Sequence, residues 1–210
     1  MIKQVIGISA QNTQQGTIDW QRVRASGVEG VMLRVGKTAY NGDVTKDAGL
    51  DSCIQAASAQ GLWVGLYVEA HTKNPAAAHR AADQMVRLAR QHPDKINMPL
   101  AFCVQDTQSA CLISQGKEGL TDSVIAFLFE VSRQGYRGMF YTDLTFAKTH
   151  LNLERLFERD IWIADPRGDQ DALQRDLGRD WCMWEYTGAQ AVCDGVPNGC
   201  ARSRCSVDFL

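Results

Sequence analysis

The chain has 210 residues, 45% of them hydrophobic and 22% charged, enough apolar material for one sizeable core and a length that favours a single domain over 1–210. A formal net charge of -2, with Lys and Arg scattered rather than blocked, leaves no electrostatic footprint for a phosphate backbone and argues against nucleic acid as a partner. No apolar run approaches the roughly 20 residues of a transmembrane span, and Met1 to Gly7 lacks the charged start, long apolar stretch and cleavage site of a signal peptide, so a soluble chain is expected.

Strand-like apolar runs alternate with amphipathic stretches, the pattern of successive βα units. Val5-Ile6-Gly7-Ile8 precedes a short helix around Ile18 to Val23 that Gly27 can end. Gly30 to Val35 is a second strand, and Asp47 to Gln60 a helix closed by Gly61. Leu62 to Val68 is the third strand, after which Asn74-Pro75 supplies an N-cap and an N1 proline to a helix through Arg90. Met98 to Val104 is the fourth strand. Leu120, Val124, Phe127, Leu128 and Val131 recur at helical spacing before Gly135 and a fifth strand, Gly138 to Tyr141.

The last third changes character. Asp160 to Ala164, Trp181 to Tyr186 and Ser206 to Leu210 read as short strands with little helix between them, giving five βα units followed by three strands. Four of the seven cysteines (Cys182, Cys193, Cys200, Cys205) crowd the final thirty residues, which suggests disulfides in an oxidising setting. Reduced, buried thiols are the alternative, and the paired C-x₂₋₄-C pattern of a structural zinc site is missing, since that spacing occurs once, at Cys200 and Cys205.

Gly7-Ile8-Ser9 followed by Gly16-Thr17-Ile18-Asp19-Trp20 resembles the opening G-I-D…G-x-I-D-W of glycoside hydrolase family 25 lysozymes. Further segments agree in order: Val31-Met32-Leu33-Arg34-Val35-Gly36, then Asp47-x-x-Leu50-x-x-Cys53 with Gly61-Leu62-x-Val64-Gly65-Leu66-Tyr67. Gly135-Tyr136…Tyr141, Ile161-Trp162-Ile163-Ala164, Trp184-Glu185-Tyr186 (usually W-Q-Y) and Val207-Asp208 complete the set. The resemblance implies an α/β fold, an irregular TIM-like barrel of five βα units followed by three β-strands, with its site at the carboxyl ends of the strands. It also implies peptidoglycan, or a related amino-sugar glycan, as the partner, no metal or other cofactor, and an extracellular or cell-wall-associated location.

Glycoside hydrolysis usually asks for a protonated acid on the leaving oxygen and a second carboxylate for the cationic centre, water or a substrate amide. The family carries an Asp-x-Glu pair at the end of its fourth strand, where a spacing of two sends both side chains to one face. Aligning Pro99 and Asp106 with that motif puts Cys103 on the Asp and Gln105 on the Glu. An amide does not titrate near neutrality, and a thiol is normally neutral there. The family's first-strand aspartate falls on Ser9, and Asp208 alone matches. Glu69, Asp106 and Asp165 are candidate relocated acids, Glu69 the best placed of them. A Cys103 and His71 nucleophile is a weaker alternative, since nothing else in the chain resembles a cysteine hydrolase.

Sugar recognition needs aromatic faces and a few orienting polar groups. Arg34, Tyr67, Tyr141, Trp162, Trp184 and Tyr186 are the positions the resemblance carries over, while Lys37 stands where many relatives have Tyr. Residues 193–205 form a longer connection than the family's, rich in Gly, Pro and Cys, and read as a loop that alters access to the cleft or meets a protein partner. The expectation is a lysozyme-like protein directed at cell-wall glycan, with hydrolysis lost or weakened. The alternatives are an active N-acetylmuramidase using Glu69 or Asp106 with Asp208, and a scaffold that uses no glycan.

Overall fold

Apolar alternation and helix caps set the elements of the computed structural model, which describes residues 3–9, 12, 17–105 and 110–207. Strand β1 (Lys3–Ile8) leads to α1 (Trp20–Ala25), whose N-cap Asp19 accepts a hydrogen bond from the Arg22 amide. Then come β2 (Gly30–Thr38), a short β3 (Val44–Lys46), α2 (Leu50–Ala59), β4 (Trp63–Glu69) and α3 (Pro75–Ala89). Asn74 caps α3 and Pro75 opens it, as the sequence leads one to expect. Strand β5 (Leu100–Cys103), α4 (Gly116–Arg133), β6 (Gly138–Asp143), α5 (Leu144–His150), β7 (Ile161–Ala164), α6 (Gln170–Leu177), β8 (Met183–Glu185) and β9 (Ala201–Cys205) complete the chain.

Eight strands close into a barrel in the order β1-β9-β8-β7-β6-β5-β4-β2, with β2 returning to β1 and β3 added to the outside of β2. All pairs in the barrel are parallel except those of β9, which runs antiparallel to both β1 and β8. The expected α/β barrel is thus the observed one. Side chains alternate across each strand, so two apolar shells form. Outward residues such as Leu33, Leu66, Phe102, Phe140 and Trp184 pack under the helices. Inward residues fill the barrel: Val5, Met32, Met98, Met139, Met183 and Cys205 plug its lower part, and Tyr141, Trp162 and Cys103 lie above them. Gly65 belongs to the plug because a Cβ there would stand 2.4 Å from Met32 Sδ.

Two features of the last third differ from the sequence expectation. A helix does occupy the gap between β7 and β8: α6 is capped by Asp169 and ended by Gly178 at φ 68°, yet buries only Leu173 and Leu177. So narrow an apolar stripe hides it from a periodicity search. The closing strand of the barrel is Ala201–Cys205; of the strand expected over Ser206–Leu210, Ser206 and Val207 are not in a strand and residues 208–210 lie outside the described residues. Its inward residues Ala201, Ser203 and Cys205 are small, and its outward Arg202 and Arg204 look like loop residues. The guanidinium of Arg204 lies 5.6 Å from the Trp184 ring and 5.0 Å from that of Tyr186, covering them instead of standing free. The loop expected over 193–205 therefore ends at Cys200.

Candidate functional site

The carboxyl ends of the strands open into a cleft of about 1090 Å³. Its position follows from the methionine plug, which fills the other end of the barrel. Ser9 after β1, Cys103 at the end of β5 and Gln105 just beyond it all line this cleft, so the three positions matched to acids come together in space as the alignment implies. None of them is a carboxylate. Asp106 and Asp208 lie outside the described residues.

Cys103 is buried, and that burial, reinforced by the nearby negative charge of Glu69 and Glu185, pushes its thiol well above the usual range. A thiol held protonated is a poor nucleophile, which removes the basis for a Cys103 and His71 reaction although both residues line the cleft. Ser9 is fixed by Asn12: the Asn12 Oδ1 accepts from the Ser9 amide at 2.9 Å and from its hydroxyl at 3.2 Å. The Asn12 amide donates to the Gly199 carbonyl at 2.8 Å, tying the end of β1 to the connection before β9. No sequence signal points to Asn12.

Arg34 reaches the cleft beside a bulge. The register between β2 and β4 shifts between Arg34 and Gly36, where Gly36 has φ 151° and a Cβ would lie 1.8 Å from the Thr45 carbonyl oxygen. Arg34 Nε donates to Asp47 at 2.7 Å and its Nη1 to Glu69 Oε1 at 2.5 Å. Burial opposes the charge on Arg34, but the two carboxylates outweigh it and raise its pKa. Glu69 Oε2 faces Lys37 Nζ at 3.3 Å. Both oxygens of Glu69 thus face cations. Asp165 accepts from Arg167 through both carboxylate oxygens, which lowers its pKa, and it does not line the cleft.

The aromatic positions divide by strand parity. Tyr67, Tyr141 and Trp162 line the cleft as expected. The Trp162 ring lies 5.8 Å from Tyr67 and 4.6 Å from Tyr141, both edge-on, and its indole N–H donates to Ser203 Oγ at 3.1 Å. Trp184 and Tyr186 do not join them. They sit on the opposite face of β8 and its continuation, Trp184 donating to the Asp165 carbonyl at 2.9 Å and the Tyr186 hydroxyl to Gln4 at 3.0 Å. Their assignment to a sugar surface is corrected accordingly.

The same parity turns Glu185 inward, and this cleft carboxyl escapes the sequence reading. Its Oε1 accepts from the Tyr141 hydroxyl at 3.2 Å, while burial pushes its pKa up to about 7. Burial likewise raises the Tyr141 phenol, with the charge of Glu185 adding to it. The available signal was the acid in Trp184-Glu185-Tyr186, flanked by two outward aromatics. Among the described residues, no cluster of His, Cys, Asp or Glu is arranged to hold a metal ion, and no helix is long and apolar enough to cross a membrane.

Comparison with solved structures recovers the same barrel. The modular autolysin LytC from Streptococcus pneumoniae superposes with a TM-score of 0.79 at 19% identity over 97% of this chain, which spans 46% of that protein. The bacterial lysozyme from Streptomyces coelicolor gives 0.76 at 16% identity, covering 98% of this chain and 93% of the other. The catalytic domain of endolysin ply40, from bacteriophage P40 of Listeria monocytogenes, gives 0.74 at 20% identity, covering 100% and 95%. Among curated proteins, none matches the sequence. At these identities the structures speak for the fold alone. The sequence profile described as "Glycosyl hydrolases family 25" matches residues 11–195, so most of the chain carries the family pattern and the chain belongs to glycosyl hydrolases family 25.

Proposed function

We propose that this protein is a lysozyme-like member of its family directed at peptidoglycan glycan, acting at the bacterial cell wall as a binding or regulatory form whose hydrolytic activity is lost or severely weakened. The supporting observation is the composition of the cleft. Arg34, Tyr67, Tyr141 and Trp162 remain around it, while Ser9, Cys103 and Gln105 stand where the resemblance puts acids. Glu69 is engaged by Arg34 and Lys37 and does not supply the missing proton donor. Binding can persist without those acids because stacking and hydrogen bonding to hydroxyls need no proton transfer. The thiols of Cys193 and Cys200 lie close enough to perturb each other's ionisation, which favours an oxidisable staple at the cleft rim in an extracellular setting.

The test pairs cosedimentation on purified cell walls with release of reducing ends. The unaltered protein should cosediment and release little. The combined variant Ser9→Asp, Cys103→Asp and Gln105→Glu should raise release by about 10²-fold or more, the usual worth of positioned acid-base catalysis. Failure to cosediment would sink the reading in favour of a scaffold. Rapid release by the unaltered protein would instead show an efficient muramidase.

A further inference from the structure

Among the acids around the cleft, Glu185 has a setting of its own. It stands at the carboxyl end of β8 with Ser203 of β9 as one strand partner and Ala164 of β7 as the other. Its one hydrogen-bonded side-chain partner among the described residues is Tyr141, and no arginine or lysine pairs with it there. Glu69 differs on both counts. The two polar positions have also exchanged chemistry relative to the family pattern: an amide, Gln105, stands where the acid is expected, and an acid, Glu185, where the glutamine of W-Q-Y is expected. Both line the same cleft.

We propose that Glu185 is a catalytic residue of this cleft, the proton donor to the glycosidic oxygen of a bound glycan of 2-acetamido sugars. The proposal rests on the glycan reading above and adds to it the group that sustains slow cleavage. In the step, the Glu185 proton passes to the glycosidic oxygen as the C1–O bond breaks, and the electron pair of that bond stays with the departing hydroxyl. The carbonyl oxygen of the sugar's own 2-acetamido group bonds to C1 and gives an oxazolinium ion. Water then adds to C1, the bond to the acetamide oxygen breaks, and the proton lost by water returns to Glu185. The sum is one glycoside and one water giving two sugar ends. Ser9 and Cys103 offer no negative charge to the cationic intermediate, which accounts for the low rate expected.

Several titratable and charged groups surround Glu185. Tyr141 and Cys103 come from β6 and β5, Tyr67, Glu69 and Arg34 from β4 and β2, and Cys200 from the connection before β9. Burial raises both phenols and Cys103 above their ordinary values, and it brings Glu185 into the neutral range. The Tyr141 hydrogen bond favours its charged form and holds its pKa below what burial alone would give.

The experiment uses the full chain with purified peptidoglycan, between about pH 5 and 9, following reducing ends and cosedimentation on the same samples. Slow release by the unaltered protein should fall as pH rises through about 7, where Glu185 loses its proton. Glu185→Gln should cut release by at least about tenfold, a conservative fraction of what a general acid contributes, with cosedimentation showing that the variant still folds. Tyr141→Phe should move the falling limb to higher pH, a shift that a merely structural tyrosine would not cause. Release by Glu185→Gln equal to that of the unaltered protein overturns the proposal. So does cosedimentation without any release above a heat-inactivated control, an outcome that leaves the binding reading standing. Failure of the unaltered protein to cosediment overturns both.

Discussion

At Glu185 the requirements of stability and of a reactive site pull apart. A carboxyl whose folded pKa lies near 7, above the ordinary 4.5, binds its proton more tightly in the folded chain than in the unfolded one. The folded state therefore has its full advantage from this group below about pH 4.5 and loses it as pH rises towards 7, beyond which the penalty is constant. Glu185→Gln keeps the shape and removes the charge. Its melting temperature should exceed that of the unaltered protein at pH 8 by an amount corresponding to about 1–3 kcal/mol, and match it near pH 4. Thermal denaturation at the two pH values checks this. A variant equally stabilised at both would show that the buried charge is not the cause.

At the scale of elements, β2 carries the most consequential irregularity. Gly36 allows the bulge beside which Arg34 meets Asp47 and Glu69, and alanine there would need both a φ of 151° and a Cβ 1.8 Å from the Thr45 carbonyl oxygen. Gly36→Ala should destabilise the protein by about 2 kcal/mol or more and, with Arg34 displaced, weaken cosedimentation on cell walls at temperatures where the variant remains folded. Normal wall binding in a folded variant would show that the bulge does not aim Arg34. Elements of this kind explain what could be read from sequence. The barrel strands from β1 to β6 and the helices from α1 to α4 were legible because the strands are apolar runs and the helices carry caps and apolar stripes, as at Asn74-Pro75 and Leu120 to Val131, whereas the three-residue β3 and the short α5 went unread. Strand β9 was displaced and α6 missed because arginines dress one and a two-leucine stripe anchors the other. Around the cleft, Ser9, Cys103 and Gln105 are the lining residues that alignment singles out, and a spacing of two sends Cys103 and Gln105 to the same side. Trp184 and Tyr186 were misplaced and Glu185 overlooked for one shared reason: parity within β8 alternates residue by residue, and the resemblance alone does not say which of the three faces inward.

Across the whole molecule, barrel closure and the cleft rim depend on the same short connection. Residues 193–200 run from the region after β8 into β9, and they are bound to α1 on the way: the Asp19 amide donates to the Gly195 carbonyl at 2.8 Å, and Arg22 pairs with Asp194. The Cys200 amide donates to Ala191 at 2.9 Å, while Ala189, Gln190, Asn198 and Gly199 line the cleft. Cys193 and Cys200 are both buried free thiols, close enough that each perturbs the other's ionisation, lowering the pKa of the first and raising that of the second. Oxidation would close a short ring, which the chain-entropy account values at about 2 kcal/mol. For a chain of this size that corresponds to a rise of about 4–8 °C in melting temperature. Air oxidation or oxidised glutathione should therefore give a Cys193–Cys200 bridge in non-reducing peptide maps, with a melting shift that dithiothreitol reverses. Cys193→Ala should show neither. A bridge to Cys182 or Cys205, or oxidation without a shift, would mean that the connection is already rigid as two thiols and that the rim gains nothing from the bond.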